Sequence, residues 1–491
     1  MSSDVRRLAA GVILGSFPGP TVPAWVCRRL DEGLGGVCLF GSNLTGASSG
    51  VDAAAAVSGE LHDIAPSMVV ALDEEGGDVT RLEARTGSSL PGNAALGAID
   101  DVVLTRDVAR ALGSVLRSAG IDLDLAPCAD VNVDAANPVI GVRSFGADPE
   151  LVARHVAAAV QGLQDAGVAA CAKHFPGHGA TAVDSHLDLP VVDAPADLIR
   201  RRELVPFRAA AAAGASTVMT GHLRLPAFDA ERPATLSPVL LTDVLRGELG
   251  FTGAVVTDAL DMHGVGGPLA IPANVVRALA AGADFCCLGS DASDELTGAC
   301  IDAVVAAVQD GTLDEARLVE AAARVTAISR TVEPSPHGSA VEDLGRLGRQ
   351  AAERAIVVEG APPGSLLGAQ IIEMKRPPTI AAGEVPASLS DAMRRFDPTV
   401  TSDDFGVPPR SEGPLVIVVR DPHVVPGAAD TLDELLAARP DAVVVDLGWP
   451  VGTALRSRTR ITTFGASRAS IEAAARLLVV EPMTAGRSRR G

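Results

Sequence analysis

The stretch Lys173–Pro190, KHFPGHGATAVDSHLDLP, places one Lys, three His and two Asp directly after an apolar run, GVAACA. Buried polar side chains are costly unless they are paired, so clusters of this kind collect where chemistry is done. Within the stretch, Asp184 and His186 stand two residues apart in VDSH. A carboxylate so placed could orient the imidazole and raise its pKa. Histidine changes charge near neutral pH, which suits a general acid that must later act as a base. For an isolated Asp-x-His, a surface pair is the competing reading. A second candidate is Asp258 in VVTDALDM. A carboxylate at a strand end can stabilise a developing cation or attack a carbon directly, and it can equally be a helix N-cap. Lys173, His174, Arg81 and Arg143 offer donors to substrate hydroxyls, while the two arginines would also serve as ion-pair partners at a rim. His174, His178, His186 and Asp184 have metal-ligand chemistry. The Lys among them repels a cation, however, and no His-x-His follows the first strand, so no metal is expected.

These residues need elements to position them. Eight short apolar runs recur along the first three hundred residues: LAAGVILGSF, GGVCLF, MVVALD, IDLDLAP, GVAACAKH, ASTVMTGH, GAVVTD and ADFCCLG. They lack the alternation of a half-exposed strand, as expected for strands buried on both faces of a parallel sheet. Helical stretches closed by glycine lie between them, LVARHVAAAVQGLQDAG and ELVPFRAAAAAG among them. Eight strand–helix units predict a (β/α)8 barrel, whose active sites lie at the C-terminal ends of the strands. Asp73, Asp130, Lys173, His174, His222 and Asp258 fall at those ends. A doubly wound open sheet would share the alternation, but its G-x-G-x-x-G fingerprint is missing after the first strand. The segment TVEPSPHGSA then reads as a linker. Beyond it, RAIVVEG, PLVIVVRD and DAVVVDLG alternate with helical runs such as TLDELLAARP and RASIEAAARLL. The expected organisation is a TIM-type barrel over 1–332, a linker over 333–342 and a smaller α/β sandwich domain over 343–491.

Composition narrows the function classes. The chain has 491 residues, 47% of them hydrophobic, enough for two cored domains. No apolar run approaches the ~20 residues of a membrane helix. The N-terminal RRLAAGVILGSFPG combines two arginines with an apolar stretch. That stretch is short, contains Gly and Pro and lacks a clean cleavage site, so it reads as a first buried strand and not as a signal peptide. The seven cysteines are scattered with no C-x-x-C pair, which fits a reducing cytoplasm. A formal charge of −20 argues against nucleic acid or anionic membranes as partners. Aromatic residues are 3% and Tyr is absent, so stacking platforms for long polysaccharides are not expected and a short substrate is favoured.

KHFPGHG followed by D-S-H resembles the signature of glycoside hydrolase family 3, in its β-N-acetylhexosaminidase branch. ALDEEGGDVTRL at 71–82 is similar to the family's Asp-x-Glu-Gly-Gly segment with its trailing Arg. NPVIGVRSFG at 137–146, PATLSP at 233–238 and TDALDM at 257–262 also match, and the stretch with DAVVVDLGWP more loosely resembles the second domain of longer members. The resemblance implies that Asp258 is a nucleophile forming a glycosyl-enzyme and that His186, oriented by Asp184, is the acid/base. It implies that Asp73, Arg81, Arg143, Lys173 and His174 bind the hydroxyls and N-acetyl group of a terminal N-acetylglucosamine. It further implies a retaining β-N-acetylglucosaminidase acting on small glycosides or muropeptide fragments, without cofactor, as a monomer or homodimer. Phosphate is the alternative acceptor, which would make the enzyme a phosphorylase. The chain departs from the family at Asp78, where a basic residue commonly follows Gly-Gly.

Overall fold

The computed structural model describes residues 2–181, 188–330, 340–376, 383, 386–451 and 457–479. Eight strands form the first sheet: β1 Ile13–Gly15, β2 Gly36–Leu39, β3 Val69–Leu72, β4 Leu123–Asp124, β5 Ala169–Phe175, β6 Thr217–Thr220, β7 Ala254–Thr257 and β8 Cys286–Cys287. All the pairings are parallel, in the order β7-β6-β5-β4-β3-β2-β1-β8. A parallel bridge between Val256 and Phe285 joins the two ends. The sheet is a (β/α)8 barrel.

The strands are apolar throughout because both of their faces are buried. Leu14, Cys38, Val69, Ala71, Cys171, Met219, Val256 and Cys287 pack together in one cluster, while their strand neighbours Ile13, Val37, Val70, Leu72 and Val255 belong to another with the surrounding helices. Three of the cysteines are thus small apolar fillers of the first cluster. The run LAAGVILGSF is strand only in its middle. Residues Ser2–Gly11 form a helix, with Val5, Ala9 and Ala10 buried against the barrel, and only Ile13–Gly15 joins the sheet. Alanine and leucine serve a buried helix as well as a strand, so composition alone left that boundary open.

The second sheet contains β9 Val357–Gly360, β10 Gln370–Glu373, β11 Thr401–Asp404, β12 Leu415–Val419, β13 Val443–Asp446 and β14 Thr459–Thr462, in the order β11-β10-β12-β13-β14-β9. Its pairings are parallel except that between β14 and β9. Leu389, Met393, Ile471 and Leu478 cover one face; Leu432, Leu435 and Leu436 cover the other. This layering is an α/β sandwich. Helix Ala340–Ala355 contributes Leu344 and Ala351 to the barrel's outer core and Ala352 to a cluster with Ala469 and Ala473 of the second domain. Of the expected linker 333–342, residues 333–339 lie outside the described residues, and this helix begins at Ala340.

Candidate active site

A cavity of about 560 Å³ opens at the C-terminal ends of the barrel strands, and Asp73, Arg81, Arg143, Lys173, His174 and Asp258 all line it. Six positions spread from residue 73 to residue 258 converge because each follows or ends a strand of one closed sheet. Asp184 and His186 lie outside the described residues.

Glu75 holds the polar wall of the cavity together. It leaves β3 two residues past Asp73 and is buried, with its side chain 2% exposed. Arg143 donates to it through two nitrogens, Nε at 3.0 Å and Nη2 at 2.6 Å. Lys173 Nζ lies 2.8 Å from Glu75 and 2.6 Å from Asp73. Burial alone would raise the Glu75 carboxyl, but Arg143 and Lys173 hold it well below the usual carboxylate range. Burial likewise opposes the charge on Lys173, which Asp73 and Glu75 keep raised above its ordinary value. This is a fully paired buried network, the condition under which charges persist away from water. Arg81 completes it, 4.0 Å from Asp73. Asp73, Lys173 and Arg81 therefore present charged groups to the cavity while being braced from behind, an arrangement able to hold hydroxyls in fixed orientation.

Adjacent strand residues usually point to opposite faces, yet Lys173 and His174 both line the cavity. The pairing of β5 with β6 shifts register between Ala172 and Phe175, an irregularity of the kind that re-aims side chains beside functional sites. His174 Nδ1 is 2.7 Å from Asp130. The same carboxylate accepts the N–H of His178 at 2.6 Å, so Asp130 fixes both the ring and the loop that follows. Asp130 stands beyond β4 and His222 beyond β6; neither lines the cavity. His222 bonds Thr235, of the PATLSP segment, at 2.7 Å and the carbonyl of Ala259 at 2.9 Å, bracing the residue next to Asp258. His178 lines the cavity and is bonded to Thr181 at 2.6 Å.

Asp258 follows β7, its N–H bonded to Thr220 O at 3.2 Å and one carboxylate oxygen accepting from Ala259 N–H at 2.8 Å. The next helical turn, His263–Val265, is preceded by Met262. The N-cap reading of Asp258 is therefore removed, and its carboxylate faces the cavity. Among the described residues, one trio has metal-ligand geometry: Cys128, Asp130 and His174. Its atoms are hydrogen-bonded to one another, Cys128 Sγ to Asp130 at 3.1 Å, and burial pushes the Cys128 thiol up.

Glu75 was not among the expected binding residues, although DEEGG displays it. Two adjacent acids compete for one inward position, and local sequence does not say which wins. Glu74 turns away and accepts the N–H groups of Arg81 and Leu82 at 2.8 and 2.9 Å. Burial pushes its carboxyl up to about 7. A folded-state value above the unfolded 4.5 means that stability is full below pH 4.5 and declines as pH rises through about 7. Glu74→Gln is therefore expected to be the more stable protein at pH 8, by on the order of 3 kcal/mol, and equal to wild type at pH 4. Urea unfolding at the two pH values checks this; an unchanged difference between them would show that Glu74 does not titrate in the fold.

Comparison with known proteins identifies the family. The family described as Glycosyl hydrolase family 3 N terminal domain matches residues 27–328. A β-hexosaminidase of Thiobacillus denitrificans is 37% identical over 337 residues, which cover 66% of this chain and 91% of that one. The chain belongs to glycosyl hydrolase family 3. As a member it is a glycoside hydrolase, and the residues matched to the family model lie in its barrel. β-Hexosaminidase A of Pseudoalteromonas piscicida is 38% identical over 250 residues, covering 47% of this chain but 42% of that one. Both domains of this family 3 chain superpose on a glycoside hydrolase family 3 β-N-acetylglucosaminidase from a Paenibacillus species, with a TM-score of 0.85, 31% identity and 96% of each chain covered.

Proposed function

We propose that this family 3 glycosidase is an exo-acting β-N-acetylglucosaminidase that works with net retention. The observation that carries the reading is the cavity itself: Asp258, with Asp261 three residues on, lines it together with the paired charges of Asp73, Arg81, Arg143, Lys173 and His174. The names of the β-hexosaminidase and β-N-acetylglucosaminidase relatives support the sugar. Asp258 attacks the anomeric carbon as the glycosidic bond breaks, and the leaving oxygen takes a proton. Water then displaces the sugar from Asp258 on the opposite face, restoring the β-configuration. His186, oriented by Asp184, is the proposed acid and then base. The wall residues hold the sugar's hydroxyls and N-acetyl group. Terminal N-acetylglucosamine of small glycosides or muropeptide fragments is the proposed substrate.

The test is turnover of 4-nitrophenyl N-acetyl-β-glucosaminide with and without phosphate, following product anomers by NMR. β-Configured free sugar as first product in both conditions is expected. Phosphate-dependent formation of a β-configured sugar phosphate would instead make the enzyme a retaining phosphorylase. An α-configured first product would overturn the double displacement.

A further inference from the structure

Asp78 is buried and does not line the cavity, and both of its oxygens are engaged by the second domain. Oδ1 accepts the N–H of Ala466 at 2.9 Å, and Oδ2 lies 2.6 Å from Arg420 Nη2. Arg420 directly follows β12, and Ala466 precedes the helix Arg468–Val479. The residues around Asp78 belong instead to the active site: Glu75, Val79 and Arg81 all line the cavity. Glu75 and Val79 are bonded across a tight turn, N–H to carbonyl at 3.1 Å. Gly76 and Gly77 make that turn at φ +74 and +63. A Cβ on Gly77 would stand 2.6 Å from Gly92 Cα, so the turn sits against a second backbone. The same strip is tied again downstream, where Arg468 reaches Glu83 at 2.9 Å. On the loop that carries Arg143, His423 Nε2 donates to Ala135 O at 2.7 Å.

From these contacts we infer that the second domain is a working part of the active site, and that Arg420 is a positioning residue. Acting through Asp78, it fixes the 75–81 hairpin against the substrate without touching the sugar. A buried carboxylate held by one guanidinium and one backbone N–H has little freedom, and the hairpin it anchors carries Glu75, which sets the positions of Arg143 and Lys173. A wall that is free to shift holds bound substrate less tightly. The sequence departure at Asp78 thereby acquires a purpose: an acid there recruits the neighbouring domain's arginine. The inference rests on the glycosidase reading of the barrel cavity.

The experiment compares full-length wild type with Arg420→Met, Arg420→Lys and Asp78→Asn, measuring kcat, KM and thermal unfolding on the glycoside the wild type turns over. Wild-type turnover decides the sugar reading by itself, before any variant is made. Arg420→Met is expected to raise KM about tenfold with less than about a threefold change in kcat, the signature of lost binding contacts. Arg420→Lys keeps the charge and should recover most of the loss. Asp78→Asn keeps an acceptor for Ala466 and should show a smaller rise in KM. Arg395→Ala, which breaks the exposed pair with Glu472 inside the second domain, should leave KM unchanged. Wild-type KM in folded Arg420→Met, even with a lowered Tm, would overturn the inference and leave the pair a docking contact only. Should Arg420→Met fail to fold, Asp78→Asn decides: a raised KM supports positioning and a wild-type KM overturns it.

Discussion

Asp258→Ala is expected to lower kcat on an aryl N-acetyl-β-glucosaminide by about 10⁴-fold or more, with unchanged circular dichroism and thermal unfolding. The size follows from the proposed role. Without the carboxylate no glycosyl-enzyme forms, and the reaction loses its first displacement entirely. Little fold stability should go with it, because Asp258 is only partly buried at the mouth of the cavity. A small nucleophile gives a sharper readout. Azide can enter the space the side chain vacates and attack the anomeric carbon from the same face, expelling 4-nitrophenolate and leaving an α-glycosyl azide. Recovery of activity as that product would place the nucleophile at Asp258. Near-wild-type turnover in Asp258→Ala would remove it from the mechanism.

The second large effect is expected at Lys173. Its side chain is 2% exposed, and the ammonium group bridges Asp73 and Glu75 at 2.6 and 2.8 Å. Lys173→Met leaves two carboxylates facing each other with Arg143 and Arg81 as their remaining neighbours. Removing one partner of a buried ion pair typically destabilises by about 3–5 kcal/mol, and KM should rise because Asp73 is no longer held. The pH dependence has a definite sign. Glu75 is held far below its unfolded value of 4.5, so it contributes stability above pH 4.5 that is lost as pH falls below it. Lys173→Met weakens that depression. The stability gap between variant and wild type should therefore be widest near neutral pH and narrow on acidification. Denaturant unfolding at pH 7 and pH 4 measures it; a gap that widens in acid would mean Lys173 is not what holds Glu75 ionised.

The barrel was legible because its signals are local. A parallel barrel buries both faces of every strand, so each strand announces itself as a short apolar run. The fold then requires polar residues at the run's end to share one mouth. That logic brought Asp73, Lys173, His174 and Asp258 together from sequence, along with Asp130 and His222, which stand behind the cavity instead of lining it; Arg81 and Arg143 were candidates by residue type, and the family resemblance gave them a binding role. In the second domain the same signal marked β9, β12 and β13 but passed over β10, whose QIIE holds only two apolar residues, β11, whose TSDD is half exposed at a sheet edge, and β14, whose TRIT reads as polar. Burial of Arg460 in β14 is possible because Asp446 of the neighbouring strand pairs with it at 2.5 Å. No one-dimensional pattern displays that partner.

What the sequence alone determined was the architecture, the family and the list of groups able to do chemistry, since residue type and periodicity are properties of short segments. Tertiary structure decided which of those groups work together. It chose Glu75 over Glu74 as the residue that organises the wall, set Asp130 behind His174, and paired Asp78 with an arginine 342 positions away. The physical reason is the same in each case. A charged side chain is stable in the interior only where a partner arrives, and partners arrive through the closing of the sheets and the docking of one domain on the other.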